Sequence, residues 1–374
     1  MPPRAAYVHA PFCRHRCGYC NFTVIAGRDD LFARYLAALT LELERLPDDS
    51  EVDTLFFGGG TPTHFDPAVL EELLRLVQAR LPLAPGGELS VEANPIDLTP
   101  EKTELLARHG VNRISMGMQS FNARKLAVLE RDHRADDIFQ AYERVRATTR
   151  SISLDLIFAA PGETLADWQA DLRQAIALQP DHISTYGLTY EQGAAFWGRR
   201  ERGELASAEE ELEALMYEAA LDELTAAGYE HYEVSNFARP GHRCRHNETY
   251  WLGREYFALG PGAARYVDGW RESNHRSVLT WMRRLEAGES PVVDRERLPP
   301  EERARERLVF GLRRLEGIDR HAFAAETGYT IEALGEVALA DFLQHRLLEI
   351  VDDQLRLTRA GLLVSDSLWP SFLE

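Results

Sequence analysis

The sequence predicts an α/β fold built on a parallel sheet, followed by a C-terminal winged-helix-like α+β module. Three observations carry this. From Tyr7 to about Phe237, short β-branched or aromatic runs alternate with longer segments of helical period. Six or so consecutive βα units imply parallel strands joined by right-handed crossovers, either an open doubly wound sheet or a full or partial barrel. After Pro299 the alternation gives way to a charged helix, further short helices and a hairpin pattern.

In chain order, strands are expected at Tyr7–Ala10, Val52–Phe57, Leu89–Ala93, Arg113–Met118, Ile152–Ala159, His182–Leu188 and Tyr229–Val234. Leu31, Phe32, Tyr35, Leu36, Leu39, Leu43 and Leu46 repeat at helical spacing, as do Val69, Leu70, Leu73, Leu74, Val77 and Leu81, so each set marks one apolar helix face. A third helix is announced by Thr99 as N-cap with Pro100 at the first helical position, and stops at Gly110. Past Phe237 the Gly-, Pro- and His-rich stretch 239–247 and then Leu259-Gly260-Pro261-Gly262 read as a domain edge. Pro300 to Leu312 is a charged helix. Leu347 to Val351 and Leu355 to Leu357 flank Asp352-Asp353-Gln354 as a hairpin, and a last helix starts with Thr358 as N-cap. The organisation expected is a core at 1–237, a connecting segment at 238–298 and a C-terminal module at 299–374.

The 374 residues carry 60 Asp plus Glu against 42 Lys plus Arg, a net charge of −18, which argues against a basic footprint on nucleic acid. No apolar run approaches the ~18 residues of a membrane span, and no secretion signal precedes Tyr7, so a cytoplasmic, reducing setting is expected. Four cysteines cannot staple a chain of this length, and three of them lie within eight residues. Crowding of that kind points to a metal.

Cys13, Cys17 and Cys20 are spaced C-x3-C-x2-C directly after the first strand. Three thiolates on one loop can hold three irons of a [4Fe–4S] cube and leave the fourth open to a ligand. The spacing alone also admits a structural zinc site completed by His9, His15 or Cys244, although such sites usually come as two separated pairs. After the second strand, Gly58-Gly59-Gly60-Thr61-Pro62-Thr63 permits the close backbone approach that a β-carbon would obstruct, or makes a plain tight turn. Glu92, Gln119 and Asp155 each stand near the carboxyl end of a strand, where a mostly apolar pocket would need a few convergent polar groups.

Tyr7-Val8-His9-Ala10-Pro11-Phe12-Cys13 with the cysteine triplet resembles the start of a radical S-adenosylmethionine (SAM) protein. That resemblance implies a partial (β/α)6-type radical SAM barrel, a [4Fe–4S] cluster held by Cys13, Cys17 and Cys20, and SAM chelating the open iron. It makes Gly59, Gly60 and Thr61 the seat of the methionyl ammonium and adds Tyr7 and Tyr19 to the cofactor-binding set. Glu92, Gln119, Asp155, and Arg131 twelve residues after Gln119, match the SAM-holding groups of the coproporphyrinogen oxidase-like branch. Oxygen-independent coproporphyrinogen III dehydrogenases of that branch, which decarboxylate propionates to vinyl groups, show a fourth cysteine where this chain has Phe22, and an N-terminal extension where only six residues precede Tyr7.

The chain is closer to haem chaperones of the HemW type, which lack that cysteine and bear an H-N-x-x-Y-W motif. Here the motif is His246-Asn247-Glu248-Thr249-Tyr250-Trp251, and Leu315 to Asp319 and Leu357 to Gly361 also resemble theirs. The resemblance implies a protein that binds haem and passes it to acceptor haemoproteins, and leaves room for a small electron-donor protein and a peripheral membrane contact. His246 would offer an imidazole to iron, with Asn247 beside it and Tyr250 and Trp251 as faces for the macrocycle; the plainer alternative is a turn cap with buried aromatic core. Cys244 with His242 forms a second candidate ligand group. The alternative function is the decarboxylase, and the duller one a zinc-stabilised binding protein.

Overall fold

The computed structural model describes residues 2–48 and 50–373. One nine-stranded sheet runs, edge to edge, Phe257–Leu259, Ala5–Ala10, Val52–Gly59, Leu83–Ala93, Arg113–Gln119, Ser151–Phe158, His182–Gly187, Asn236–Ala238 and Glu230–Glu233. The first seven are parallel. From Ala5–Ala10 to His182–Gly187, spatial order follows chain order without reversal. Right-handed crossovers then lay every helix on the same face, which excludes the doubly wound alternative. The two edge strands do not pair with each other, so the sheet is not closed by a ladder.

The strands are two-faced. Leu55, Phe57, Leu89, Val91, Ile114, Met116, Ile152, Leu154 and Ile183 are buried and belong to the main apolar core, with helix residues such as Leu39, Leu73, Leu106 and Leu172. Fully burying side chains of this kind is worth about 1.5–3 kcal/mol each. The alternate positions are polar. The register pairs Ser90 with Arg113, Glu92 with Ser115, Ser115 with Ser153, and Ser153 with His182, so one polar face runs across the sheet away from the helices. This face lines the inside of the curved sheet.

Helix signals read from the sequence hold with small shifts. Phe32–Leu43 is preceded by a short 3-10 turn that contains Leu31, and Leu46 lies beyond its end. The second helix is Pro67–Arg80, capped by Asp66. Thr99 does cap Pro100–Arg108, its side chain accepting from the Lys102 amide at 3.3 Å. The C-terminal part packs Pro300–Leu312, Arg320–Thr327 and Ile331–Gln344 on a three-stranded sheet of Ile318–Asp319, Gln354–Leu357 and Leu348–Val351, around its own apolar cluster. Thr358 caps the helix Arg359–Leu363.

Two expectations are corrected. Tyr229–Val234 is not a seventh parallel strand: Glu230–Glu233 pairs antiparallel with Asn236–Ala238, because only a two-residue turn separates them and a parallel crossover needs a dozen or more. The stretch after Phe237 is more than an edge, since Phe257–Leu259 joins the sheet beside Ala5–Ala10.

Glu42 ties helix Phe32–Leu43 to that added strand. It is buried and accepts from the Gly260 amide at 2.8 Å, Asn274 Nδ2 at 2.6 Å and Trp281 Nε1 at 3.2 Å. Burial pushes its carboxyl up to about 7 despite those donors. Between the unfolded value of 4.5 and about 7, the folded chain holds a proton that the unfolded chain has lost. Stability contributed by this group is therefore full below that window and falls as pH rises through it, by ~3 kcal/mol. Thermal melts of Glu42→Gln against the native chain between pH 4.5 and 8 should show this slope removed in the variant.

Candidate functional site

Six successive strand ends and the loops that follow them surround one cavity of about 890 Å³. Its floor is the cysteine loop after Ala5–Ala10. Cys13, Cys17 and Cys20 are all half-buried, reduced and on the cavity wall. Cys13 Sγ lies 3.4 Å from Thr61 Oγ1, and Arg131 Nη1 donates to Cys17 Sγ at 3.4 Å. Burial pushes the Cys13 thiol up to about 12 and raises Cys20 as well. The loop is clamped at Gly18: the Phe196 amide donates to its carbonyl at 2.8 Å, and a Cβ there would stand 2.0 Å from the Phe196 ring. Tyr19 packs edge-on to the same ring.

The glycine run after Val52–Gly59 touches this loop directly. The Gly60 amide donates to the Ala10 carbonyl and the Thr61 amide to that of Phe12, both at 2.8 Å. Gly59 adopts φ +103°, and its amide donates to Glu92 Oε2 at 2.9 Å. Burial, with Asp155 nearby, pushes the Glu92 carboxyl up to about 7. Asp155 is also raised by burial, and it accepts from Ser115 at 3.1 Å and Ser153 at 3.3 Å. Gln119 ends its strand with φ +63° at a break in register, and its amide group folds over Gly117. Arg131 Nη2 donates to the Gly117 carbonyl at 2.7 Å, while its Nε is buried without a partner.

Cys13, Cys17, Cys20, Tyr19, Gly59, Gly60, Thr61, Glu92, Gln119, Arg131 and Asp155 thus all face one space. An unpartnered guanidinium N–H beside acidic and amide groups fits a zwitterionic ligand whose carboxylate meets Arg131. Among the described residues, no group of three His, Cys, Asp or Glu gathers closely enough for a single metal ion. Of the three zinc completions, His15 lies on the cavity wall and the other two do not. His9 has both nitrogens engaged, by Tyr7 OH and the Thr23 carbonyl. Cys244 is buried at the other end of the sheet, its thiol near Glu88.

The H-N-x-x-Y-W residues do not join this cavity. His246, on the helix Arg245–Trp251, is 1% exposed, with Nδ1 bonded to Thr54 Oγ1 at 2.9 Å and Nε2 to Tyr250 OH at 2.8 Å. Thr54 lies at the amino end of its strand, roughly 16 Å along it from Gly59. Burial and Arg113 push the His246 imidazole down to about 3. The expectation that His246 presents a free nitrogen to haem iron does not fit this arrangement, because both lone-pair directions are spent inside the core. His242, the other member of the second candidate group, meets Ser151 Oγ at 3.3 Å. Trp251 lies under the Arg313 guanidinium, 4.5 Å from its ring. Asn247 is half-buried on the same helix. Tyr250 and Tyr7 do line a second cavity of about 460 Å³, with Phe22, Tyr256 and Arg276. His246→Ala should therefore cost about 1–3 kcal/mol of stability by orphaning two buried hydroxyls, with iron and sulfide content unchanged; denaturant melts and metal assay read the two.

Sequence reasoning missed part of the cavity. Tyr186, at the end of His182–Gly187, would have followed from applying the strand-end rule once more. Leu362 to Ser367, which reach the cavity from the C-terminal module, carry no local signal.

Residues 7–175 match the model of the radical SAM superfamily and residues 298–364 that of the HemN C-terminal domain. The protein "Heme chaperone HemW" of Bacillus subtilis is 34% identical over 99% of both chains. That of Synechocystis is 38% identical over 85% of this chain and 80% of its own. The solved structure of coproporphyrinogen III oxidase (HemN) from Escherichia coli superposes with a TM-score of 0.88 at 22% identity, covering 99% of this chain and 90% of that one, a likeness of fold. Among the described residues no helix is long and apolar enough to cross a membrane. With likeness of this extent along the whole chain, the protein belongs to the HemW family within the radical SAM superfamily.

Proposed function

We propose that this protein is a cytoplasmic haem chaperone that carries a SAM-bound [4Fe–4S] cluster, binds haem and hands it to acceptor haemoproteins. The observation that carries the reading is the set of three cysteines and the strand-end polar groups on one cavity wall. Cys13, Cys17 and Cys20 would hold the cluster. When bound, the cluster and SAM together supply one-electron chemistry at a sulfonium centre. The chain's own part is to orient and exclude. Gly59 and Gly60 give backbone approach, Arg131 offers its free Nε–H to a carboxylate, and Glu92 and Asp155 accept from an ammonium or from hydroxyls.

For haem, support comes from the names of the relatives and from the second cavity, where Tyr7, Tyr250, Tyr256 and Phe22 bring aromatic rings to one space. In this arrangement the H-N-x-x-Y-W segment serves haem through Tyr250 at the cavity wall, with His246 orienting that hydroxyl from behind. Titrating anaerobically reconstituted protein with haem, with and without SAM, tests the reading. Saturable binding and transfer to an apo-haemoprotein are expected. Turnover of coproporphyrinogen III to the divinyl product would overturn it in favour of the decarboxylase.

A further inference from the structure

Two residues with side chains sit in the left-handed region at neighbouring strand ends, Gln119 at φ +63° and Ala159 at φ +61°. Each costs about 1 kcal/mol or more, and such residues persist only where surroundings over-determine them. The surroundings here are one buried ionic group. Asp171 accepts from the Phe121 amide at 2.8 Å and from Ser120 Oγ at 2.6 Å, closing the turn after Gln119. Glu163 accepts from the Ala160 amide at 2.9 Å, closing the turn after Ala159. Lys125 bridges them, meeting Asp171 at 3.1 Å and Glu163 closer still, with its ammonium 5.0 Å from the Trp168 ring centroid. All three side chains are at most 4% exposed. Burying three ionised groups is a poor way to gain stability and is best attested where it selects one geometry over others.

We propose that the Glu163–Lys125–Asp171 latch is a positioning device for the SAM seat, locking both turns so that Gln119 is held over Gly117 and beside Arg131 before any ligand arrives. The bulge between Gly117 and Gln119 aims the side chain; the latch fixes that aim. Two further contacts complete the frame from the other side, Arg131 on the Gly117 carbonyl and His133 Nε2 on that of Met118 at 2.9 Å. The role assigned to Gln119 rests on the SAM reading above, whereas the locking of the turns does not.

The test uses Lys125→Met and Asp171→Asn, the second keeping the shape of the side chain should the first fail to fold, and Asp66→Ala as a cap deletion at a residue that does not line the cavity. Amide hydrogen exchange in the cluster-free protein should speed up at least tenfold at Ser120 and Phe121 in both latch variants. SAM affinity of the reconstituted protein, measured by equilibrium dialysis, should weaken at least tenfold with iron content unchanged, while Asp66→Ala lowers the melting temperature and leaves affinity alone. Native exchange rates at these amides would overturn the latch. Affinity within twofold of native, or an equal loss in Asp66→Ala, would overturn its role in positioning. If the native chain binds no SAM, the seat itself falls, and the latch is judged by exchange alone.

Discussion

Serine at any one of positions 13, 17 or 20 is expected to abolish the cluster: iron and acid-labile sulfide should fall to near background and the broad visible absorption of the reconstituted protein should bleach. A hydroxyl is a much poorer ligand for a soft iron–sulfur unit than a thiolate. His9 is engaged at both nitrogens and Cys244 lies at the far end of the sheet. Cys244→Ser provides the contrast, since it should leave iron content at the native level. Full iron and sulfide in any single variant of the triplet would remove that residue from the ligand set.

The second large effect is expected at the glycine run. A Cβ on Gly60 would meet the Ala10 carbonyl at 2.7 Å and the Phe12 carbonyl at 2.8 Å, backbone atoms that already accept from Gly60 and Thr61 and cannot retreat without opening both bonds. One on Gly59 would lie 2.2 Å from the His9 ring in a backbone region that favours glycine. Gly60→Ala should destabilise the fold by about 3 kcal/mol or more and lower cluster content as well, because the same contacts anchor the cysteine loop. Gly110→Ala is the contrast. Gly110 has positive φ and nothing within 4 Å, so only the backbone cost of about 1 kcal/mol applies there, whereas Gly60 lacks positive φ and meets crowding alone. Denaturant melts of the two variants with iron assay separate crowding from strain.

Most of the site was legible because it obeys one rule: in this architecture chemistry collects at the carboxyl ends of parallel strands. Cys13, Gly59, Glu92 and Gln119 stand at or next to the end of a run that reads as a strand, and Asp155 lies within its own, so the pattern set them toward one rim and the family resemblance singled them out. The helix starts were legible for local reasons, as with Thr99 and Pro100, where cap chemistry needs no tertiary context. What could not be read depends on contacts distant in sequence. Phe257–Leu259 is three residues long, too short for period to declare it a strand, and it exists because the edge beside Ala5–Ala10 needs a partner. His246 shows the opposite failure. Its neighbours in sequence suggest a haem ligand, yet Thr54, 192 positions away, takes one of its nitrogens. Gln119 was read as a ligand-facing residue, but nothing local revealed its left-handed backbone, which rests on Asp171, 50 residues beyond the Phe121 amide that it holds.

In the proposed function, three cysteines leave one iron of a cube open toward a seat shaped for SAM. Electron paramagnetic resonance of the reduced, reconstituted protein, recorded with and without SAM, tests it most directly. SAM is expected to change the g-values of the cluster signal, and Arg131→Ala to blunt the change without reducing iron. A spectrum of the native protein identical in the two samples would contradict it.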